Sequence, residues 1–300
     1  MNRTVVVTGC SSGFGRDVSL RLAASGDRVY ATMRATREKN AEAADALESR
    51  AALDDRALRV VEMDVTSDAS VVSAADTILR DGGAPDVVIN NAGQMYVGIT
   101  EAFTPEELRA QLDVNVIGVH RVNRAFLPAM RARGSGLIVN ISSIAGRLAA
   151  PFNAIYHASK WALEGYSLAL RTELASSGLD VVVVEPGPFT TALFPTMRAP
   201  ADLDQRAATY PAVVHETAAA LGRMFEGLFN DPNAPTDPAL VVDRLCELID
   251  MPAGTRPFRT VVGVDMGVAE RNAAVAPFDA QLLDAAGLKD FATLKVVTVR

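Results

Sequence analysis

Cysteine is almost missing from this chain. Cys10 and Cys246 are the two present, too few for a disulfide framework and without the paired spacing of a thiolate metal site. A reducing compartment is the expectation. Histidine is nearly as scarce: His120, His157 and His215 have no carboxylate or nucleophile at a suggestive spacing, so structural or surface roles are expected and no metal site is predicted. No apolar run reaches the roughly 18 residues needed to cross a bilayer. The opening MNRTVVVTG enters an apolar strand at once and lacks the long apolar region of a signal peptide. The expected location is therefore the cytoplasm. Positive charge is also in deficit, with 29 Lys and Arg against 36 Asp and Glu and a formal net charge of −7. Such a surface is not built to neutralise nucleic-acid phosphates, although a local phosphate site remains compatible with it.

Apolar residues, by contrast, are plentiful: 49% of the 300 residues are hydrophobic, enough to fill a large core. Short Val- and Ile-rich runs recur as RTVVVT from residue 3, RVYATM from 28, LRVVEMD from 58, DVVIN from 86, GLIVNIS from 136, DVVVVEP from 180 and RTVVGV from 259. Runs apolar on both alternating faces are expected of parallel strands covered on both sides. Helical patterns fall between them at residues 14–25, 37–53, 68–80, 104–132 and 155–177. This alternation predicts an α/β fold, a doubly wound, seven-stranded, mostly parallel sheet with helices on both faces. Residues 188–238, rich in proline and carrying two short helical patterns, break the rhythm. They are expected to form a helical, substrate-covering insertion before the last helix and strand. The whole chain, 1–300, is read as one domain, with 264–300 as a C-terminal extension that has no evident place in the sheet.

The first strand runs into TGCSSGFG. Gly9, Gly13 and Gly15 allow a sharp turn into a helix and a close approach of the backbone to a ligand, while the helix start offers free N–H groups to an anion. Such a turn is a pyrophosphate cradle or, without a ligand, a tight strand-to-helix turn. Arg34 follows the second strand with no carboxylate beside it. An arginine there would hold a ribose 2′-phosphate, a charge-assisted bond worth about 1.5–3 kcal/mol, which favours NADP over NAD; an exposed arginine at a helix start is the other reading. Asp64 could accept from an adenine amino group or cap the turn after the third strand. Tyr156 and Lys160 in YHASK lie four positions apart on a predicted helix, so their Cβ atoms stand about 5–6 Å apart on one face.

These segments, TGCSSGFG, NNAG at 90–93, Asn115 in DVNVIG, ISS at 141–143, YHASK at 156–160 and EPGPFTT at 185–191, together resemble the short-chain dehydrogenase/reductase family over about residues 3–192. TGCSSGFG with VYATMR looks like its hydroxysteroid and retinol dehydrogenase branch. The resemblance implies a Rossmann-type fold and an enzyme acting on CH–OH donors with NAD(P). Tyr156 would be the general acid/base, with Lys160 favouring its phenolate; at about 4 Å and an effective dielectric near 20, that attraction is on the order of 4 kcal/mol. Ser143, at the family's interval from Tyr156, would donate to the substrate oxygen, although strand geometry alone leaves Ser142 as a rival. Asn115 would lie at a helix irregularity and tie Lys160 to a proton relay.

For the cofactor, the resemblance implies Gly9, Ser11, Ser12, Gly13, Phe14 and Gly15 at the pyrophosphate. Arg34, Asp64 and Val65 would stand at the adenosine end. Asn91, Ala92 and Gly93 would line the ribose, with Lys160 on its hydroxyls, and Pro186, Gly187 and Thr191 would position the nicotinamide. NADPH is the preferred cofactor and NAD the alternative. Met95, Tyr96, Phe189 and Leu193 join Ser143 as expected substrate-pocket residues, suited to a hydrophobic carbonyl or alcohol. Carbonyl reduction is the expected reaction. The competing readings are a same-fold epimerase or dehydratase and a non-catalytic NADP(H)-sensing protein. On the helix 156–174, Lys160, Glu164, Ser167 and Arg171 form one narrow polar stripe with apolar residues over most of the rest. One sheet cannot cover so wide an apolar face, so a homodimer or homotetramer interface is predicted there.

Overall fold

The computed structural model describes residues 3–54 and 56–295. The first two residues of the MNRTVVVTG segment and residues 296–300 of the expected C-terminal extension lie outside them.

The Val-rich runs form the strands β1 (Thr4–Thr8), β2 (Arg28–Met33), β3 (Leu58–Glu62), β4 (Val87–Asn90), β5 (Gly136–Ile141), β6 (Leu179–Pro186) and β7 (Arg259–Val262). They make one sheet in the order β3-β2-β1-β4-β5-β6-β7, and each neighbouring pair is parallel. The helices are α1 (Gly13–Ala24), α2 (Ala41–Leu53), α3 (Asp68–Gly82), α4 (Pro105–Leu112), α5 (Gly118–Arg133), α6 (Ala154–Ala175), α7 (Leu203–Arg206), α8 (Ala212–Asn230), α9 (Ala239–Asp250) and α10 (Val268–Ala285).

Alternation along each strand divides the core in two. Val5 and Val7 face a cluster with Val18 and Leu22 of α1, Leu47 of α2 and Val241, Leu245 and Leu248 of α9. Val6 and Val88 face the other side, with Ile78 of α3, Val122 and Phe126 of α5 and Leu174 of α6. Both faces are therefore covered, which is why β1, β4 and β6 are buried along their whole length while the edge strand β3 is mostly half-buried or exposed. Chain order reverses between β1 and β4, and the crevice at the carboxyl ends of those two strands is where a parallel sheet of this kind binds ligands.

Three helix boundaries differ from the sequence expectation, each for a local reason. Residues 37–40 are not helical: Ala35 takes φ +50°, and Asn40 Nδ2 donates to the Arg34 carbonyl at 2.7 Å, which closes a turn before α2. The segment 104–132 is interrupted by a π-helical turn over Asp113–Ile117 between α4, which starts with a Thr104/Glu107 capping box and Pro105 at its first turn, and α5. In the insertion, one of the two expected short helices is a 19-residue helix, α8, with no buried residue. It rests on aromatic contacts, Phe194 lying 4.8 Å from Phe229 and 5.7 Å from Phe225 between ring centroids.

The stripe on α6 is oriented inward. Lys160, Glu164 and Ser167 are buried, and Ala158, Trp161, Ala162, Gly165 and Ala169 are exposed. Each polar member finds a partner toward the sheet: Lys160 on the Ile141 carbonyl, Ser167 accepting from Asn140, Glu164 on Arg259, Arg171 on the Val181 carbonyl. Helical periodicity could identify the two faces but not which of them met the sheet.

Candidate active site

A cleft of about 630 Å³ opens over the carboxyl ends of the strands. Its floor is the β1–α1 turn. Gly9 has φ +72°, and a Cβ there would lie 2.8 Å from Ala92 Cα; Gly13 has φ +56° with only Thr191 within 4 Å of the site a Cβ would take. A Cβ on Gly15 would clash with the Asn91 amide and with the Gly9 carbonyl, so the turn is packed tightly beneath and open above. Ser12 makes no side-chain bond at the start of α1, and the first turn carries no acidic residue. The leading N–H groups of α1 are thus free of any carboxylate competitor, and with Ser11 and Ser12 in the cleft wall they fit a pyrophosphate. Phe14 also lines the cleft and meets Phe189 edge-on at 5.5 Å.

At the adenosine end the wall is built from Arg34, Lys39, Asn40, Asp64, Val65 and Thr66. Arg34 and Lys39 are both exposed there. The sequence signals Lys39 only through the density of basic groups in RATREK; it is the turn before α2 that brings it to the same cleft wall as Arg34. Asp64 Oδ1 accepts from Thr66 N at 2.9 Å and Thr66 Oγ1 at 2.8 Å, which is the turn-capping alternative for that oxygen. Asn91 lines the cleft with Ala92 and Gly93, but its amide nitrogen is spent on the Thr8 and Gly9 carbonyls at 2.9 and 3.1 Å. It braces the glycine turn.

The reactive end gathers Ser143, Tyr156, Lys160, Pro186, Gly187 and Thr191. Ser143 accepts from Ala145 N at 3.1 Å and donates to the Pro186 carbonyl at 3.3 Å. Ser142 Oγ is buried without a partner among the described residues, packed where a Cβ on Gly146 would stand 2.8 Å away. Burial pushes the Tyr156 phenol up to about 12, and the Ser143 hydroxyl beside it pulls the other way. Burial also drives the Lys160 ammonium down to about 8, with Glu164 opposing. Lys160 Nζ donates to the Ile141 carbonyl at 2.8 Å and lies 5.8 Å from the Tyr156 ring centroid. In the protein alone, desolvation is the larger influence on both groups.

Asn115 sits in the π-helical turn, buried. Its side chain receives the Gln94 N–H at 2.9 Å and donates to the Gln94 carbonyl and Ser159 Oγ at 3.0 Å each. It holds the loop after β4 against α6, and its side chain makes no bond to Lys160. Of the expected pocket residues, Leu193 lines the cleft and packs with Met95 against Tyr156. Phe189 is buried among core residues and contributes floor. Tyr96 is turned away from the cleft: its hydroxyl accepts from Arg198 at 3.1 Å, and the two residues form an isolated parallel bridge. Phe194, Thr196 and Arg198 of the insertion complete the wall; Thr196 and Arg198 were not expected, because only tertiary pairing brings them to the cleft.

A family model described as short chain dehydrogenase matches residues 3–202. A 3-ketodihydrosphingosine reductase of Bacteroides thetaiotaomicron is 38% identical over 62% of this chain and 64% of its own length. The human 17-beta-hydroxysteroid dehydrogenase type 1 is 40% identical over 64% of this chain and 58% of its own length. The chain thus matches less than two thirds of the length of these relatives. Among solved structures, a short-chain dehydrogenase from Streptomyces avermitilis is 31% identical, with a TM-score of 0.74 over 95% of this chain and 97% of that one.

The buried ammonium carries a testable stability cost. A Lys whose folded pKa is depressed to about 8 destabilises the fold fully below that pH, and the cost disappears as pH rises through 8 toward the unfolded value. Lys160→Met is expected to raise urea stability by about 3 kcal/mol at pH 6, the fall from 10.5 to about 8 converting at about 1.4 kcal/mol per pKa unit, and to change it far less near pH 10. A gain of equal size at both pH values would contradict the assignment.

Proposed function

The chain belongs to the short chain dehydrogenase family, and from that premise we propose that it is an NADP(H)-dependent oxidoreductase. It interconverts a hydrophobic ketone or aldehyde with the corresponding alcohol. The observation that carries this reading is the meeting of Tyr156, Ser143 and Lys160 in one cleft with an uncapped, acid-free helix start at its other end. A reduced nicotinamide held in the cleft would supply the hydride to the carbonyl carbon. Ser143 donates a hydrogen bond to the substrate oxygen as charge builds on it, and Tyr156 delivers the proton that converts that oxygen to a hydroxyl. Lys160, held on Ile141, stands on the same helix face and favours the phenolate left behind. A phenol pushed up to about 12 is protonated at neutral pH, which suits it to the acid role in reduction.

Two features support the finer assignments. Arg34 and Lys39 bring two exposed positive charges to the adenosine end, which favours a 2′-phosphate. The wall beside Tyr156 is made of Leu193 and Phe194, with Met95 and Val97 packed behind them rather than lining the cleft; it suits an apolar carbonyl, in keeping with the substrates named by the two relatives. No helix among the described residues is long and apolar enough to cross a membrane, and both cysteines are free, which supports a cytoplasmic location. The exposed face of α6, with Ala158, Ala162, Gly165 and Ala169 around Trp161, is apolar enough for a second copy to pack on it, giving a homodimer or homotetramer.

Tyr156→Phe keeps the ring and removes the proton. Turnover of a ketone panel followed at 340 nm is expected to fall about 10²–10⁴-fold while NADPH still binds; retained turnover would refute the acid role. Arg34→Ala with Lys39→Ala is expected to weaken NADPH by about tenfold to a hundredfold and NADH little, and equal losses by calorimetry would remove the NADP preference. Sedimentation should show an oligomer at micromolar concentration that Trp161→Glu dissociates; a wild-type monomer would end that claim.

A further inference from the structure

Behind the reactive end, outside the residues that line the cleft, lies a buried ionic cluster of which only Glu185 falls within the segments that resemble the family. Glu164 follows Lys160 by one turn of α6 and is 2% exposed; Glu185, the residue before Pro186, is 0% exposed. Arg259 of β7 donates from Nε to Glu164 Oε2 at 2.9 Å and lies 3.9 Å from Glu185 Oε1. Asn272 of α10 donates to Glu185 Oε2 at 2.6 Å and accepts from Arg147 Nε at 2.7 Å. Glu164 Oε1 has no partner among the described residues. Glu185 Oε1 likewise has no hydrogen-bond partner among the described residues, but only the Glu164 oxygen lies one turn from a buried ammonium on the same helix. In a low-dielectric interior a charge so placed acts on its neighbour more strongly than it would in water.

We propose that Glu164 is a positioning residue for Lys160: its carboxylate, clamped by Arg259, keeps the lysine charged inside the protein. This deepens the oxidoreductase reading, which needs a charged lysine beside the phenol. The C-terminal helix α10 then has a task, since through Asn272 it fixes Glu185 and Arg147 around the same clamp. The groups facing Glu164 are Arg259 from β7, Glu185 from β6, Arg147 from the turn after β5, and Lys160 from its own helix. Asp279, 3.8 Å from Arg259, and Arg271 on α10 bound the cluster outside. Lys160 itself donates to the Ile141 carbonyl and lies over the Tyr156 ring; Glu164, four residues on along α6 and also buried, is the acidic group one helical turn from it. Burial lowers the lysine, Glu164 raises it, and removal of the carboxylate therefore moves it further down.

The chain has four lysines, and Lys39, Lys289 and Lys295 are exposed, so the Lys160 signal of protein labelled with ¹³Cε-lysine is separable by its low midpoint. A pH titration of the protein alone, without cofactor or substrate, reads the proposal directly and independently of any turnover. Glu164→Gln is expected to move the Lys160 midpoint down by about one pH unit or more. Glu164→Asp, which keeps the charge one methylene further back, is expected to move it less. Asn272→Ala, a disturbance of the same cluster that leaves the Glu164 carboxylate in place, is expected to leave it where it is. An unmoved midpoint in Glu164→Gln overturns the proposal, as does an equal fall in Asn272→Ala, which would make the effect one of general loosening. Should Glu164→Gln not fold, Glu164→Met, which removes the charge in a side chain of similar length, takes its place, and an unmoved midpoint there does the same.

Discussion

A single ammonium kept out of water organises this site. Lys160 is 6% exposed, and its charge is tolerated because the Ile141 carbonyl at the end of β5 accepts from it at 2.8 Å and Glu164 lies one turn away. For that to work, β5 must end where α6 passes, which the parallel pairing of β5 with β4 and β6 enforces. The same strand ends carry Asn90, Ser143 and Pro186. The chemistry of the cleft thus depends on sheet register: a strand displaced by one residue would turn its side chains to the opposite face.

Behind the cleft the structure spends further buried polarity on fixing that register. Asn90 of β4 donates to Asn123 of α5 and to Asn140 of β5, both at 2.9 Å, and Asn140 donates to Ser167 of α6 at 2.8 Å. The Nδ2 donors of Asn90 and Asn140 each meet specific partners on other elements, so neither helix can slide along the sheet without leaving a donor bare. Such a network is invisible in the sequence, where three asparagines far apart carry no sign of meeting.

What could be read from the sequence follows a physical divide. The strands were legible because burial on both faces demands near-continuous apolar runs, and the glycine turn because close backbone approach admits nothing else. Tyr156, Lys160 and Ser143 were legible as a group through their segments. The failures are tertiary. The inward side of α6 depends on partners in β5, β6 and β7; Lys39 reaches the cleft only through the turn at Ala35; Tyr96 is drawn off by Arg198. The opposing effect of burial on the phenol and the ammonium was likewise out of reach, since spacing fixes which groups are neighbours but not how dry their surroundings are.

The pairing of Tyr96 with Arg198 has a mechanical consequence. Val97 N donates to the Arg198 carbonyl and Arg198 N to the Met95 carbonyl, each at 3.0 Å, so the proline-rich segment is sewn to the loop after β4 by backbone bonds on either side of Tyr96. That loop also carries Met95, which packs on Tyr156. Any outward swing of the segment must either tear this seam or drag Met95 with it, so access to the phenol and the shape of the wall beside it change together, as one hinged flap.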